Sequence, residues 1–480
     1  MLNRTRSLKW WFFLMLSCYA LAASAATREV GQVVFAKGVV TAQVSGEPVR
    51  LVGTGGKLFE GDVISTASRS FAVLKLIDGT QTTLRPDTVF KLEAHELKGN
   101  ESSALVELFK GGVRTVSGQI SKQNPGGSRI KAGVAALAVR GTDFEARLCA
   151  ADCVEESRRT RAVAQERSAE VVARVVLLRG SATATGVDGR QRALALGSPL
   201  FSGETVETMS RTFAVLAFRD ESRITLQPDT RFEIERYRYT PESPGEASML
   251  VNLLKGGLRT LTGRIGRLNR DAVQLKTPAS TIGIRGTGFD AVCQGDCLHE
   301  PGTGQPPTAE GDGMFLSVWD GEVVLRLATG EVVISQGRVV FVGNNETAPI
   351  PLARLPAAVA DGLGPRPDRP ESSDPTMQTP FASVAQTQPE FGLYVRVFDG
   401  WVVLTGALGG AVHLGSGETG FAGTTERQAV RLDESPNLVP TITPEVFDDP
   451  QVMDLFMLFD APLQSDLGPV RETAFECVVR

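Results

Sequence analysis

Arg140-Gly141-Thr142 and Arg285-Gly286-Thr287 are the residues of this 480-residue chain best equipped for chemistry. An arginine fork grips a carboxylate or a sugar phosphate through paired hydrogen bonds. The residue after each motif differs, Asp143 against Gly288, so a shared carboxylate-dependent reaction is not expected there. The competing reading is structural: each arginine is a partly buried cation paired with an acid of its own repeat, with Asp87 and Asp229 as the candidates. Duplication favours this second reading, because architecture must be kept in both copies while a ligand site need not.

Cysteines raise the next possibility. Cys149-Ala-Ala-Asp-Cys153 and Cys293-Gln-Gly-Asp-Cys297 stand at equivalent places, shortly after the two Arg-Gly-Thr motifs. In an oxidising compartment each pair closes a small loop as a disulfide, worth about 2 kcal/mol in the chain-entropy model. A metal site would require the pairs to converge or histidines to join them. Of His95, His299 and His413, only His299 lies near a pair. Cys477 is left over, as a free thiol or an intermolecular partner.

Other catalytic signatures are missing. No nucleophile elbow, Walker loop, zincin or dinucleotide fingerprint occurs, and the scattered histidines form no general-base constellation. Gly111-Gly112 and Gly256-Gly257 are flanked by strand-like residues on both sides, which predicts a tight turn or bulge and not a phosphate cradle. Asp78, Asp87, Asp220 and Asp229 fall in turns, where aspartate caps the backbone. A glycosidase would instead need two facing carboxylates. No metal and no cofactor is expected.

The elements that position these residues are duplicated. FAVLKLIDGTQTTLRPDT from Phe71 recurs as FAVLAFRDESRITLQPDT from Phe213, LFKGGVRTVSGQI from Leu108 as LLKGGLRTLTGRI from Leu253, and AVRGTDFEA from Ala138 as IGIRGTGFDA from Ile282. A repeat this long is a domain and not a solenoid rung. Short apolar alternations between turn signals, with 50 Gly and 26 Pro, predict an all-β fold with short strands, of sandwich, jelly-roll or solenoid-like type.

Residues 1–26 read as a signal peptide: Arg4, Arg6 and Lys9, then an apolar run from Trp10 to Leu21, then Ala23-Ser24-Ala25. Its loss takes the net charge from −5 to −8, since three cations and no anion go with it. An acidic chain gives no electrostatic case for nucleic acid. Cys18 follows a poor lipobox, so a lipoprotein is disfavoured, and no later stretch is apolar enough to span a bilayer.

The first body covers 27–153, a charged linker 154–170, and the second body with closing hairpins 171–345. Asp320-Gly321 and Thr329-Gly330 predict the hairpin turns of that closing meander. Residues 346–390 are a Pro-rich linker unable to build a core. Residues 391–423 match 313–343, with Phe398-Asp399-Gly400 in place of Trp319-Asp320-Gly321. This meander either completes the first body, nesting one domain in the other, or packs with its counterpart as an accessory sheet. Residues 424–480 make an irregular tail with one amphipathic piece, Val452 to Phe459.

GDVISTASRSFAVLKLIDGTQTTLRPDT, LFKGGVRT and VRGTDFEA together resemble the FecR domain family. The second copy departs at two motif positions, with Gly203-Glu204 for Gly-Asp and Asp220-Glu221-Ser222 for Asp-Gly-Thr. The resemblance implies a β-rich periplasmic module of bacterial envelopes. Founding members relay an iron-siderophore signal to a sigma factor, but only nine residues precede the apolar run, which leaves no room for an anti-sigma segment. The expected function is an exported, non-enzymatic scaffold that binds an envelope protein or a cell-wall or surface polysaccharide. The alternatives are a regulator of envelope or iron-related signalling and an exported carbohydrate-active enzyme.

Overall fold

The computed structural model describes residues 28–433, apart from 125, 134, 154–169, 242, 270, 279, 295–312, 328–329, 344–347, 387–389 and 425–427. The signal peptide, the charged linker apart from Glu170, Cys18, Cys297, His299, Cys477 and the amphipathic piece all lie outside the described residues. Two compact units divide between Ala132 and Gly133, so the strand Ala135–Cys149 falls with the second unit.

The first unit is built from short antiparallel strands joined by one long bent strand. Glu29–Lys37 pairs with Phe71–Leu76, which pairs with Gln81–Leu84. Val40–Gln43 pairs with Arg50–Leu51 and Val63–Thr66, and the latter pairs with Val89–Glu96. Ser103–Val116 joins both paths: its first half lies beside Val89–Glu96 and its last four residues beside Gln81–Leu84. Ser128–Ala132 adds a parallel strand along Ala104–Glu107. Alternation sends Ala72, Leu74 and Leu76 inward, where they are buried.

The second unit repeats this order from Val171 onward. Val171–Arg179 pairs with Phe213–Phe218, that strand with Arg223–Leu226, and that with Gly257–Leu261. Thr281–Gln294 then bridges Val273–Lys276 and Gly257–Leu261. Phe218, Phe232 and Phe289 fill the core, and Leu316, Val323 and Val340 of the closing meander share it. Aromatics and branched side chains on a half-buried pleat account for the strand choice.

The closing meanders are equivalent. Gly313–Leu327 runs along Thr281–Gln294, and Gly392–Thr405 runs along Ala135–Cys149, with Val395 opposite Ala146 and Val397 opposite Phe144. Each then pairs with two further strands, 330–335 and 339–343 in one case, 411–415 and 419–423 in the other.

Three expectations need correction. Asp320-Gly321 is no hairpin turn: it lies inside the continuous strand Gly313–Leu327, at a bulge. The proline-rich segment contributes to a core, since Met377 is buried with Val176, Val215 and Ala217. Part of the irregular tail is a strand, because Ala429–Leu432 pairs with Thr419–Ala422.

Candidate functional site

The repeated motifs assemble into four interlocks, three of which make the same bonds in both copies. In the Gly-Asp step, Asp62 holds the fork of Arg50 at 2.7 Å and accepts the Phe59 N–H at 2.7 Å. Glu204 does the same for Arg192 at 2.8 Å and for the Phe201 N–H at 3.0 Å. The sequence departure from Asp to Glu therefore preserves an ion pair between a turn acid and a hairpin arginine.

The second interlock is the Asp-x-Thr/Ser turn. Asp78 accepts the N–H and hydroxyl of Thr80, whose Oγ1 accepts the Gly118 N–H just before the short helix Gln119–Gln123. Asp220, Ser222 and Gly263 repeat these bonds ahead of Arg264–Leu268. His95 Nε2 lies 3.4 Å from Asp78 Oδ1, and burial lowers its pKa against the pull of Asp78. At the equivalent place Tyr237 donates to Asp220 Oδ1 at 3.2 Å. Burial raises the pKa of Asp220, an effect its hydrogen bonds oppose.

The third interlock joins Pro-Asp-Thr to Gly-Gly. Asp87 and Asp229 take positive φ angles of 55°, which Asp tolerates in turns. The Thr88 hydroxyl that follows bonds both the N–H and the carbonyl of Gly112 at 3.1 Å. Thr230 bonds Gly257 in the same way, at 3.0 Å. A Cβ on Gly111 or Gly256 would stand 2.4 Å from the threonine Oγ1, so only glycine admits the turn.

Arg-Gly-Thr forms the fourth. Gly141 and Gly286 take positive φ at a bulge, and the Asp-Gly pairs of the closing meanders lie opposite. A Cβ on Gly400 would sit 2.3 Å from the Gly141 carbonyl oxygen. Thr142 donates to the Trp401 carbonyl at 2.8 Å, whereas the corresponding Thr287 is held through its backbone, its N–H donating to Thr262 Oγ1 at 3.2 Å and its carbonyl accepting from that hydroxyl at 2.8 Å. Arg140 meets an aromatic face where a carboxylate was expected: its guanidinium lies 4.6 Å from the Trp401 ring centre, and burial lowers its pKa. The side chain of Arg285 lies outside the described residues.

Cys149 and Cys153 are joined as a disulfide that packs with Tyr394, Phe421 and Leu432. Cys293 is disulfide-bonded as well. Among the described residues no group of His, Cys, Asp or Glu is arranged to hold a metal. No helix among them is long and apolar enough to cross a membrane.

Sequence reasoning missed a buried ionic cluster within the second unit. Arg174, with no exposed surface, bonds Glu418 and donates to the Gly197 carbonyl at 3.1 Å. Arg431 Nε stands 3.2 Å from the other oxygen of Glu418 and donates to the His413 carbonyl at 2.7 Å. Burial pushes the Glu418 carboxyl up, but Arg174 and Arg431 outweigh it and hold its pKa below the usual value. Burial lowers Arg431 to about 10. His413 stacks on Trp401 at 5.2 Å, and burial, with Arg174, Arg140 and Arg431 nearby, lowers its pKa to about 4. The cluster ties the 392–432 meander to the second body. Its one signal in the sequence is that Arg174 and Arg431 lie within apolar strand patterns.

Two crystal structures, at 1.65 and 2.50 Å, provisionally described as an anti-sigma factor from Parabacteroides distasonis ATCC 8503, share 14% identity with this chain. They cover 31% of it with a TM-score of 0.22, and the chain spans 58% of their length. No curated protein matches. The FecR protein family model matches residues 62–183 and 204–324. Those two spans together cover half of the sequence, so the chain belongs to the FecR family.

Proposed function

We propose that this protein is an exported module of the bacterial envelope that takes an envelope protein as its partner, through the outer hairpin of its first repeat. Membership in the FecR family makes it a non-catalytic signalling or interaction module. The four interlocks use the repeated polar residues internally, which leaves recognition to positions where the copies differ.

One difference carries the reading. Val39, Val49 and Leu51 are 53%, 58% and 79% exposed, and Ser181, Gln191 and Ala193 stand at the equivalent positions of the second copy. Thr41 opposite Leu51 and Thr183 opposite Ala193 fix that equivalence. Leu51 belongs to the two-residue strand Arg50–Leu51, which pairs on one side with Val40–Gln43 and ends its sheet path; Val49 just precedes that strand and Val39 just precedes its partner. An apolar row on an open edge suits a protein that packs on it or adds a strand to it. Saccharides often stack on open tryptophan faces, whereas of the described tryptophans Trp401 is stacked with Arg140 and His413, and Trp319 with Arg366 at 4.0 Å. Export rests on the signal-peptide pattern of residues 1–26.

Leu51→Asp with Val49→Asp alters exposed side chains only. The double variant is expected to keep the wild-type melting temperature and lose the protein that co-purifies with the wild type after crosslinking in the native envelope. Retention of that protein at the wild-type level overturns the assignment of this edge.

A further inference from the structure

The arginines of the two Arg-Gly-Thr motifs face different residues. Across the bulge the strand register sets Glu322 opposite Arg285 and Trp401 opposite Arg140. Opposite charges at facing positions of a sheet support each other. The second repeat therefore carries a carboxylate at this rung of its own meander, and the first carries an indole there.

Arg140 finds no substitute acid among the described residues. Its Nε is enclosed without a hydrogen-bond partner, and burial lowers its pKa with no acid pulling the other way. Asp399, beside the bulge, is turned elsewhere: it accepts the Gly400 N–H at 3.0 Å and lies 3.6 Å from Arg190 Nη1. The guanidinium is nevertheless held in one place, 4.6 Å from the centre of the Trp401 ring, which His413 stacks upon at 5.2 Å. Arg140 as a whole is only half-buried, so its terminal nitrogens stay within reach of a ligand. A planar fork fixed in this way loses little freedom when a carboxylate bonds it. The local field also favours an anion. Arg174, Arg140 and Arg431 all bear on His413 against the one carboxylate of Glu418, which leaves cations in excess.

We propose that Arg140, seated on Trp401, docks a carboxylate carried by another protein, in the role that the facing Glu322 has in the second repeat. A protein carboxylate fits better than a uronic acid, because a sugar ring needs a bare aromatic face and Trp401 is 5% exposed. This contact is independent of the edge at Leu51.

Phenylglyoxal modification of the intact wild-type chain tests it, read by peptide mass spectrometry as the rate at Arg140 relative to exposed Arg179. The probes are acetyl-Gly-Glu-Gly-amide, its Gln counterpart, glucuronate and chloride, at equal millimolar concentrations. The Glu peptide is expected to slow modification of Arg140 severalfold and saturably, through paired charge-assisted bonds, while the Gln peptide leaves the rate unchanged. Trp401→Glu, which gives the first repeat the acid of the second, is expected to protect Arg140 with no probe added. Arg174, with no exposed surface, stays unmodified while that variant is folded; if it reacts, the wild-type measurement decides. No protection by the Glu peptide, or equal protection by the Gln peptide or chloride, overturns the proposal. Stronger protection by glucuronate than by the Glu peptide overturns the assignment to a protein.

Discussion

His413 is held neutral by burial and by three neighbouring arginines, with a pKa lowered to about 4. In the unfolded chain it titrates near ~6.5, so between those values the unfolded state binds the extra proton. Its contribution is complete above pH ~6.5 and falls away as the pH drops toward 4, by about 3 kcal/mol in total. Urea unfolding across that range is expected to show the loss, and His413→Gln is expected to flatten it. Glu418 makes the complementary case. A buried ion pair is weak evidence of net stability, but breaking one leaves an uncompensated charge. Glu418→Ala strands Arg174 and Arg431 together, at an expected cost of about 3–5 kcal/mol in the same assay. A cost near zero would mean that water reaches the cluster.

At the scale of elements, the interlocks explain why motifs far apart in sequence recur together. Thr88 and Trp401 carry no catalytic signal; one fixes a glycine turn and the other covers the bulge arginine. Thr88→Val and Thr230→Val each leave a glycine N–H and carbonyl without their buried partner, at an expected ~1–3 kcal/mol. Similar losses in both copies, measured by denaturant melts, check that the interlock is one device used twice. The strands, the turn aspartates and the Gly-Gly bend were legible in the sequence because alternation and turn chemistry are local. Asp320-Gly321 misled because a positive-φ glycine serves a bulge as well as a hairpin turn, and the opposing Arg-Gly-Thr bulge is distant in sequence. Arg174, Glu418 and Arg431 escaped notice because their meeting spans more than 240 residues.

For the whole molecule, sequence order and strand pairing diverge. The first family match runs on to Thr183, yet Val171–Arg179 pairs with strands of the second repeat. The strand equivalent to Gly313–Leu327 is Gly392–Thr405, which a contiguous family model cannot reach. Duplication with an interposed copy keeps the architecture in both repeats and frees one hairpin to differ. The direct test of that division of labour is a photocrosslinking amino acid placed at position 51, and separately at 193, of the full chain in its native envelope. An adduct with an envelope protein from position 51 and none from position 193 is the predicted result. A glycan adduct from position 51, or equal protein adducts from both positions, would contradict it.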